Sequence, residues 1–253
     1  MNSTPAPDLS SPPEAAHAPE QPALAAAGPL ASYWRSVLAI LWKDLAAEFR
    51  SKELISAMLV FSLLVVLIFN FALQLDRVAR ENVAAGVLWV TAVFSGTLGL
   101  NRSLALEKDR GSLDGLLLTP VDRSALYFGK MLGNWFFMLI VQAIILPVFA
   151  VLYNLPMLTP LLLVFVVLGT LGYAGVGTLL ASMAVHSRSR DVMLPILLLP
   201  VALPVLVAAV QGSGGVLEKR AWDEISLWFN VLAVYDVIFI AVAYMAFDYV
   251  VEE

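Results

Sequence analysis

Cysteine is absent from this chain of 253 residues, and only two histidines are present. The missing thiols exclude disulfides, thiolate metal sites and cysteine nucleophiles. Charged residues are also scarce, at 14%, whereas hydrophobic residues make up 60%. In a soluble globular domain about a quarter of the residues are charged. The composition therefore predicts an integral membrane protein, and the lack of a dense basic run argues against a nucleic-acid partner.

Catalytic and nucleotide-binding motifs are missing as well. Gly129-Lys130 is not part of a Gly-x-x-x-x-Gly-Lys-Ser/Thr loop, because the upstream glycine and the following hydroxyl residue are absent. There is no His-Glu-x-x-His motif that would predict a metal site. His186 adjoins Ser187 and Arg188 at a predicted helix end, which is typical of a surface histidine. We predict that the chain is not an enzyme and holds no cofactor or metal of its own.

Long uncharged runs predict the architecture, since about 20 mostly apolar residues cross roughly 30 Å of hydrocarbon as a helix. The predicted fold is all-α, with membrane spans at about residues 54–75, 82–101, 125–152, 160–185, 192–210 and 228–250. These spans belong to one domain, residues 32–253, and a Pro/Ala-rich tail at residues 1–31 is predicted to be disordered. Residues 211–215, Gln-Gly-Ser-Gly-Gly, predict a flexible break, followed by a short helix along the outer surface.

The basic residues predict the orientation. With six spans, eleven of the 15 Lys and Arg residues fall on the side of the two termini, and four fall on the other side. Positive residues favour the cytoplasmic side of a membrane. Both termini are therefore predicted to be cytoplasmic.

A polar and aromatic segment at residues 32–52 precedes the first span. Its apolar residues recur at helical spacing, namely Trp34, Leu38, Leu41, Trp42, Leu45 and Phe49. The remaining polar residues are assigned to the opposite side, namely Ser36, Lys43, Asp44, Glu48 and Arg50. Two interpretations stay open, an amphipathic helix in the membrane interface or ordinary packing against the bundle.

Residues 107–120 separate the second and third spans, and we name them the coupling segment. A charged run breaks at Gly111, and Leu113, Leu116 and Leu117 then share one helical face. Thr119 and Pro120 suit the N-cap and first position of the next helix. The pattern predicts a helix, a glycine break and a short helix on the cytoplasmic surface, where a partner could dock. A loop without a partner is the alternative.

Two features lie inside the predicted spans. The fourth span contains Gly169, Gly172, Gly175 and Gly177, which predict a seam of close helix packing. The sixth contains Asp236, and a carboxyl group within a membrane is costly to bury. Two interpretations of Asp236 stay open: a carboxylate on a substrate path or gate, or a group near the outer interface that is paired or protonated.

Several of these segments together resemble the haem exporter protein B family, the CcmB-type permease subunits of the cytochrome c maturation system. They are residues 48–53 leading into residues 58–61, the coupling segment with Lys130, and the proline-spaced residues 194–204. The resemblance covers about residues 33–251. It implies a type-2 ABC exporter permease fold with an amino-terminal interfacial helix and a cytoplasmic coupling helix. The residues assigned to ATPase coupling are Glu107, Arg110, Gly111, Leu113, Leu116, Leu117 and Pro120.

The resemblance also implies partners and a location. The chain would work in the bacterial inner membrane with a separate CcmA-type ATPase that binds ATP, with CcmC-type and CcmD-type membrane proteins, and with a CcmE-type haem chaperone. Haem would be the cargo. Haem iron takes His, Met, Cys or Tyr as axial ligands, and the predicted outward loops contain neither histidine nor cysteine. A role as transducer is therefore favoured over a haem channel.

Other functions stay open. The chain could be an ABC exporter permease for another lipid-like or drug-like substrate, or a membrane scaffold that transports nothing. A proton-coupled carrier is less favoured, because only Asp236 lies deep enough in a span to carry a proton.

Overall fold

The computed structural model describes residues 29–72, 77–109, 122–184 and 190–250. Within these residues every regular element is an α-helix. The helices are α1 (Pro29–Ser51), α2 (Glu53–Ala72), α3 (Arg77–Asp109), α4 (Arg123–Tyr153), α5 (Pro160–Ala184), α6 (Arg190–Leu217) and α7 (Trp222–Val250). Helices α2 to α7 each contain a stretch long and apolar enough to cross a bilayer. The prediction of an all-α protein with six membrane spans is confirmed.

Helix α5 occupies the middle of the bundle and packs against α3, α4, α6 and α7. Its glycines receive side chains from the neighbouring helices: Gly169 faces the indole of Trp89, and Gly177 faces the side chain of Leu100. A Cβ atom at either glycine would overlap the facing side chain. Small residues let helix backbones approach closely in lipid, where no hydrophobic force drives helices together. The predicted packing seam is confirmed.

Polar side chains bridge several helix pairs inside the bundle. The bridges are Trp89 Nε1 to Ser213 Oγ (3.0 Å), Asn134 Nδ2 to Thr178 Oγ1 (3.0 Å), Asn70 Nδ2 to the carbonyl of Leu152 (3.2 Å) and the Tyr235 hydroxyl to the carbonyl of Val201 (2.8 Å). Hydrogen bonds of this kind between membrane helices contribute about 0.6 to 2 kcal/mol each. They join α3 to α6, α4 to α5, α2 to α4 and α7 to α6.

The prediction of a flexible break at residues 211–215 is wrong, because α6 continues through them to Leu217. Their small side chains face the bundle: Gly212 lies against Phe165, and Ser213 accepts the hydrogen bond from Trp89. Tertiary packing supplies most of the stability of a protein helix, so it overrides the poor helix propensity of glycine here. The predicted outer surface helix is also wrong, because Trp222 already begins α7.

Two glycines of this segment should respond oppositely to alanine. In Gly212→Ala the new methyl group collides with the ring of Phe165, and overpacking of this kind costs about 1–3 kcal/mol. In Gly214→Ala the nearest atom is Ala85 Cβ at 3.7 Å, so the gain in helix propensity of up to about 1 kcal/mol remains. Thermal unfolding in detergent should show a lower Tm for the first variant and an unchanged or higher Tm for the second. Equal losses in both variants would contradict the described packing of α6.

Candidate functional site

Most of the residues assigned to ATPase coupling lie outside the described residues. Helix α3 runs to Asp109, so the backbone of Glu107 belongs to its last turn. The side chain of Glu107 is not among those described, nor are Arg110, Gly111, Leu113, Leu116, Leu117 and Pro120. The structure therefore describes the two helix ends that flank the coupling segment, the end of α3 and the beginning of α4.

The beginning of α4 differs from the prediction, because Asp122 rather than Thr119 is the N-cap. The Asp122 carboxylate accepts hydrogen bonds from the backbone N–H of Ser124 (3.0 Å) and from its hydroxyl (2.7 Å). A carboxylate at this position satisfies a free backbone donor and favours the positive end of the helix. The Ser124 hydroxyl lies 3.3 Å from that of Tyr33 on α1. Burial raises the pKa of the Tyr33 hydroxyl, which therefore stays neutral at physiological pH.

Helix α1 lies against the first turns of α4. Gly129 of α4 faces the side chain of Ile40 and the carbonyl of Val37, so the two backbones approach closely. One turn further along α1, Asp44 Oδ2 lies 2.7 Å from Nζ of Lys130, whose side chain is only 4% exposed. Packing of this segment against the bundle is confirmed, and its place in the membrane interface stays a prediction.

The same face of α1 also reaches the beginning of α2. Glu48 Oε1 accepts a hydrogen bond from the backbone N–H of Ile55 (2.8 Å), so it caps α2 from a neighbouring helix. Lys52 takes a left-handed conformation, with φ of 55°, at the tight turn between the two helices. Glu53 forms an ion pair with Arg102 near the end of α3.

Together these contacts connect three helix ends near the coupling segment. We name the set the α1 clasp: Tyr33, Asp44 and Glu48 on α1, with Ser124 and Lys130 on α4 and Ile55 on α2. The α1 clasp therefore joins α1 to the beginnings of α2 and α4.

The opposite face of α1 is apolar and exposed. Trp42 is 73% exposed, and Trp34, Leu38 and Phe49 are also largely uncovered. The sequence had placed Asp44 and Glu48 on the polar, outward side, but both turn inward to partners. Ile40, Asp44 and Glu48 are spaced one helical turn apart, so the two acids lie on the same face of α1 as an apolar residue. This spacing is the feature of the sequence that indicates their inward orientation.

Asp236, the other predicted site residue, lies deep in the bundle. Its side chain belongs to a residue that is only 4% exposed, and Oδ1 lies where a Cβ atom on Gly172 would sit. Neither carboxyl oxygen has a hydrogen-bond partner among the described residues. The span of α7 covers Trp222–Met245, so Asp236 lies roughly 21 Å along the helix from Trp222. Both interpretations of its role stay predictions.

No group of three or more His, Asp or Glu side chains suited to a metal ion occurs in the described part of the chain. The α1 clasp and Asp236 do not form one site. The clasp lies where α1 meets the beginnings of α2 and α4, whereas Asp236 lies between α5 and α7.

Two lysines that contact the same carboxylate provide a matched test of the α1 clasp. Lys130→Met should lower the free energy of unfolding by about 1–3 kcal/mol, because it removes a charge-assisted hydrogen bond from a buried pair. Lys43 lies 3.1 Å from Asp44 but is 43% exposed, so Lys43→Met should cost less than about 1 kcal/mol. Tm values measured on both variants in the same detergent would decide. A larger loss in Lys43→Met would contradict the assignment of Lys130 to the clasp.

Comparison with known proteins places this arrangement in a family. A family model described as CcmB protein matches residues 35–253. Heme exporter protein B of Rhodobacter capsulatus is 32% identical over 174 residues, which cover 68% of this chain and 80% of that protein. Its namesake in Paracoccus denitrificans is 31% identical with the same coverage, and that of Pseudomonas aeruginosa is 27% identical over 176 residues, or 69% of this chain and 78% of the relative. Because the family model matches residues 35–253, which is most of the chain, this chain belongs to the CcmB protein family.

Proposed function

We propose that this chain is the membrane permease subunit of an ATP-driven haem exporter that serves the biogenesis of c-type cytochromes in the bacterial inner membrane. The observation that carries the proposal is the family match over residues 35–253 on a bundle with six membrane spans. Relatives that bear the name heme exporter protein B support haem as the cargo. We assign to the bundle the type-2 ABC exporter permease fold.

The coupling segment is the proposed docking surface for a separate CcmA-type ATPase. Helix α3 ends at Asp109 and α4 begins at Arg123, so the segment starts and finishes at the same end of the bundle. The α1 clasp supports a path for the motion, because it fastens the beginning of α4 to α1 and α2. Glu107 and Arg110 supply the charges for docking, and Leu113, Leu116 and Leu117 supply the apolar face.

The subunit acts as a transducer that drives haem handling by partner proteins of the CcmC, CcmD and CcmE types. The gap lined by Met58, Gly99, Asn134 and Phe137 is too small to hold a planar tetrapyrrole in this structure. The histidines of the chain, His17 and His186, lie outside the described residues. We therefore assign haem binding to the partner proteins, and we assign to this subunit the force that drives them.

Both termini are cytoplasmic in this proposal, and α1 lies in the cytoplasmic interface of the membrane. Eleven of the 15 basic residues fall on that side, in agreement with the preference of positive charge for the cytoplasm. The exposed Trp34 and Trp42 suit the headgroup level of the membrane. There the apolar ring of an indole contacts lipid while its polar N–H forms a hydrogen bond.

The absence of cysteine makes this orientation directly testable. Lys219→Cys, in the turn before α7, should react with a membrane-impermeant maleimide in spheroplasts. Ser32→Cys, exposed on α1, should react only after lysis, and Trp42→Cys should then react more slowly because headgroups shield it. The unmodified chain serves as the blank. Labelling of Ser32→Cys before lysis would reverse the proposed orientation.

The coupling proposal predicts a selective loss of ATPase binding. Exchange of the two charges, by Glu107→Arg with Arg110→Glu, should reduce the co-purified ATPase at least about tenfold, because charged contacts in an interface are worth several kcal/mol. Insertion of the permease into the membrane should be unchanged. The matched control is Glu218→Arg with Arg220→Glu, which exchanges an ion pair at the other end of the bundle (Nε to Oε2 2.7 Å). Unchanged co-purification of the ATPase with the first variant would contradict the docking surface.

Two further measurements separate the proposed function from its alternatives. A haem stain of membrane proteins should show loss of c-type cytochromes when the permease gene is deleted, and recovery with the wild-type gene. Retention of c-type cytochromes would favour an exporter of another lipid-like or drug-like substrate. Maturation that persists with a bound ATPase unable to hydrolyse ATP would favour a scaffold.

A further inference from the structure

The proposed function assigns no role to Asp236, although this acid is buried within a membrane span. It lies 14 residues after Trp222 and nine before Met245 in the span of α7, roughly 21 Å and 14 Å along the helix. At this depth Asp236 Oδ1 lies against Gly172 of α5, and the side chain of Val205 of α6 approaches the same glycine. Among the described residues neither of its oxygens receives a hydrogen bond.

The helices that pack against α7 offer few groups that could balance a negative charge. Helix α5 has no charged residue between Pro160 and Ala184, and its Tyr173 hydroxyl is engaged with Thr97 and the carbonyl of Val93. Helix α6 has no titratable side chain over residues 192–217. On α4, Tyr127 donates to the carbonyl of Gly175, and Lys130 pairs with Asp44. The other titratable groups of α4 are Arg123 and Tyr153 at its ends. On α7 itself they are Asp223, Glu224, Tyr235 and Tyr244, with Asp248 and Tyr249 in its last turn, whose side chains are outside those described.

A bare carboxylate without a hydrogen bond or a counter-charge is very costly to hold in an apolar interior, so the group takes up a proton instead. We propose that Asp236 is a proton-binding site, and that the neutral acid is what permits α7 to pack closely on α5 at Gly172. The ligand is the proton itself. The proposal depends on the packing of α5, α6 and α7 and not on the identity of the cargo.

The geometry connects this proton to a movement of helices. While Gly172 lies against Asp236 Oδ1, water has no room beside the carboxyl group. Separation of α5 and α7 would admit water, and the O–H bond of the acid would then break, with the proton passing to a water molecule and the electron pair remaining on the carboxylate. Closure requires the reverse step. Opening and closing of this interface is therefore accompanied by release and uptake of one proton.

Infrared spectroscopy of the full chain in its native complex, reconstituted in lipid nanodiscs, tests the proposal. At neutral pH the spectrum of the wild type minus that of Asp236→Asn should contain the C=O stretch of a protonated carboxylic acid, which shifts in D₂O. The matched control is Asp223→Asn, at the exposed beginning of α7, whose difference spectrum should contain carboxylate bands instead. Asparagine has nearly the volume of the neutral acid, so this variant is expected to fold. Carboxylate bands for Asp236 would overturn the proposal.

Stability as a function of pH supplies a second measurement. The folded chain keeps a proton that the water-exposed unfolded chain releases at neutral pH, so folding is favoured at low pH and weakened as the pH rises. Between about pH 5 and pH 8, the Tm of the wild type and of Asp223→Asn should therefore fall more steeply than that of Asp236→Asn. Parallel curves for Asp236→Asn and the wild type would count against a proton bound at this position.

Discussion

Close approach to the glycines of α5 is the constraint on which the bundle depends. Lipid tails are as apolar as the helix surfaces, so the helices gain little from burying apolar area against each other and depend on fit. Gly169 receives an indole from α3, Gly172 a carboxyl group from α7, and Gly175 faces a tyrosine hydroxyl from α4. Each glycine thus fixes a different neighbour at a different height. The middle helix sets the positions of the others.

The end of the bundle beside the coupling segment is held together differently. There the contacts are carboxylates with a lysine and with backbone N–H groups, and they come from a helix that does not span the membrane. A second small core, formed by Ile40, Leu126, Tyr127, Met131 and Ala243, lies between this helix, α4 and α7. The bundle therefore combines a centre packed on glycines with a polar junction at one end.

Much of this fold is predictable from the sequence, because a membrane span must be both long and free of charge. Asp236 stood out for the same reason, since it is the one acid in the interior of its apolar run, whereas Asp248 lies close to the end of the predicted span. The helix through residues 211–217 was not predictable, because Gly212 is stabilised by a phenylalanine 47 positions earlier, and local propensity contains no information about that contact. The inward orientation of two acids on α1 was also not predictable from the sequence. Asp44 and Glu48 resemble solvated residues until Lys130 and the N–H of Ile55 are brought beside them.

The α1 clasp has a consequence for how the chain is made. Helix α1 is synthesised before α4, and Lys130, the partner of its Asp44, follows 86 residues later. Until α4 has been inserted, Asp44 has only the exposed Lys43 beside it, and the α1 clasp is incomplete. Helix α1 can therefore complete its docking only after the third span has been inserted.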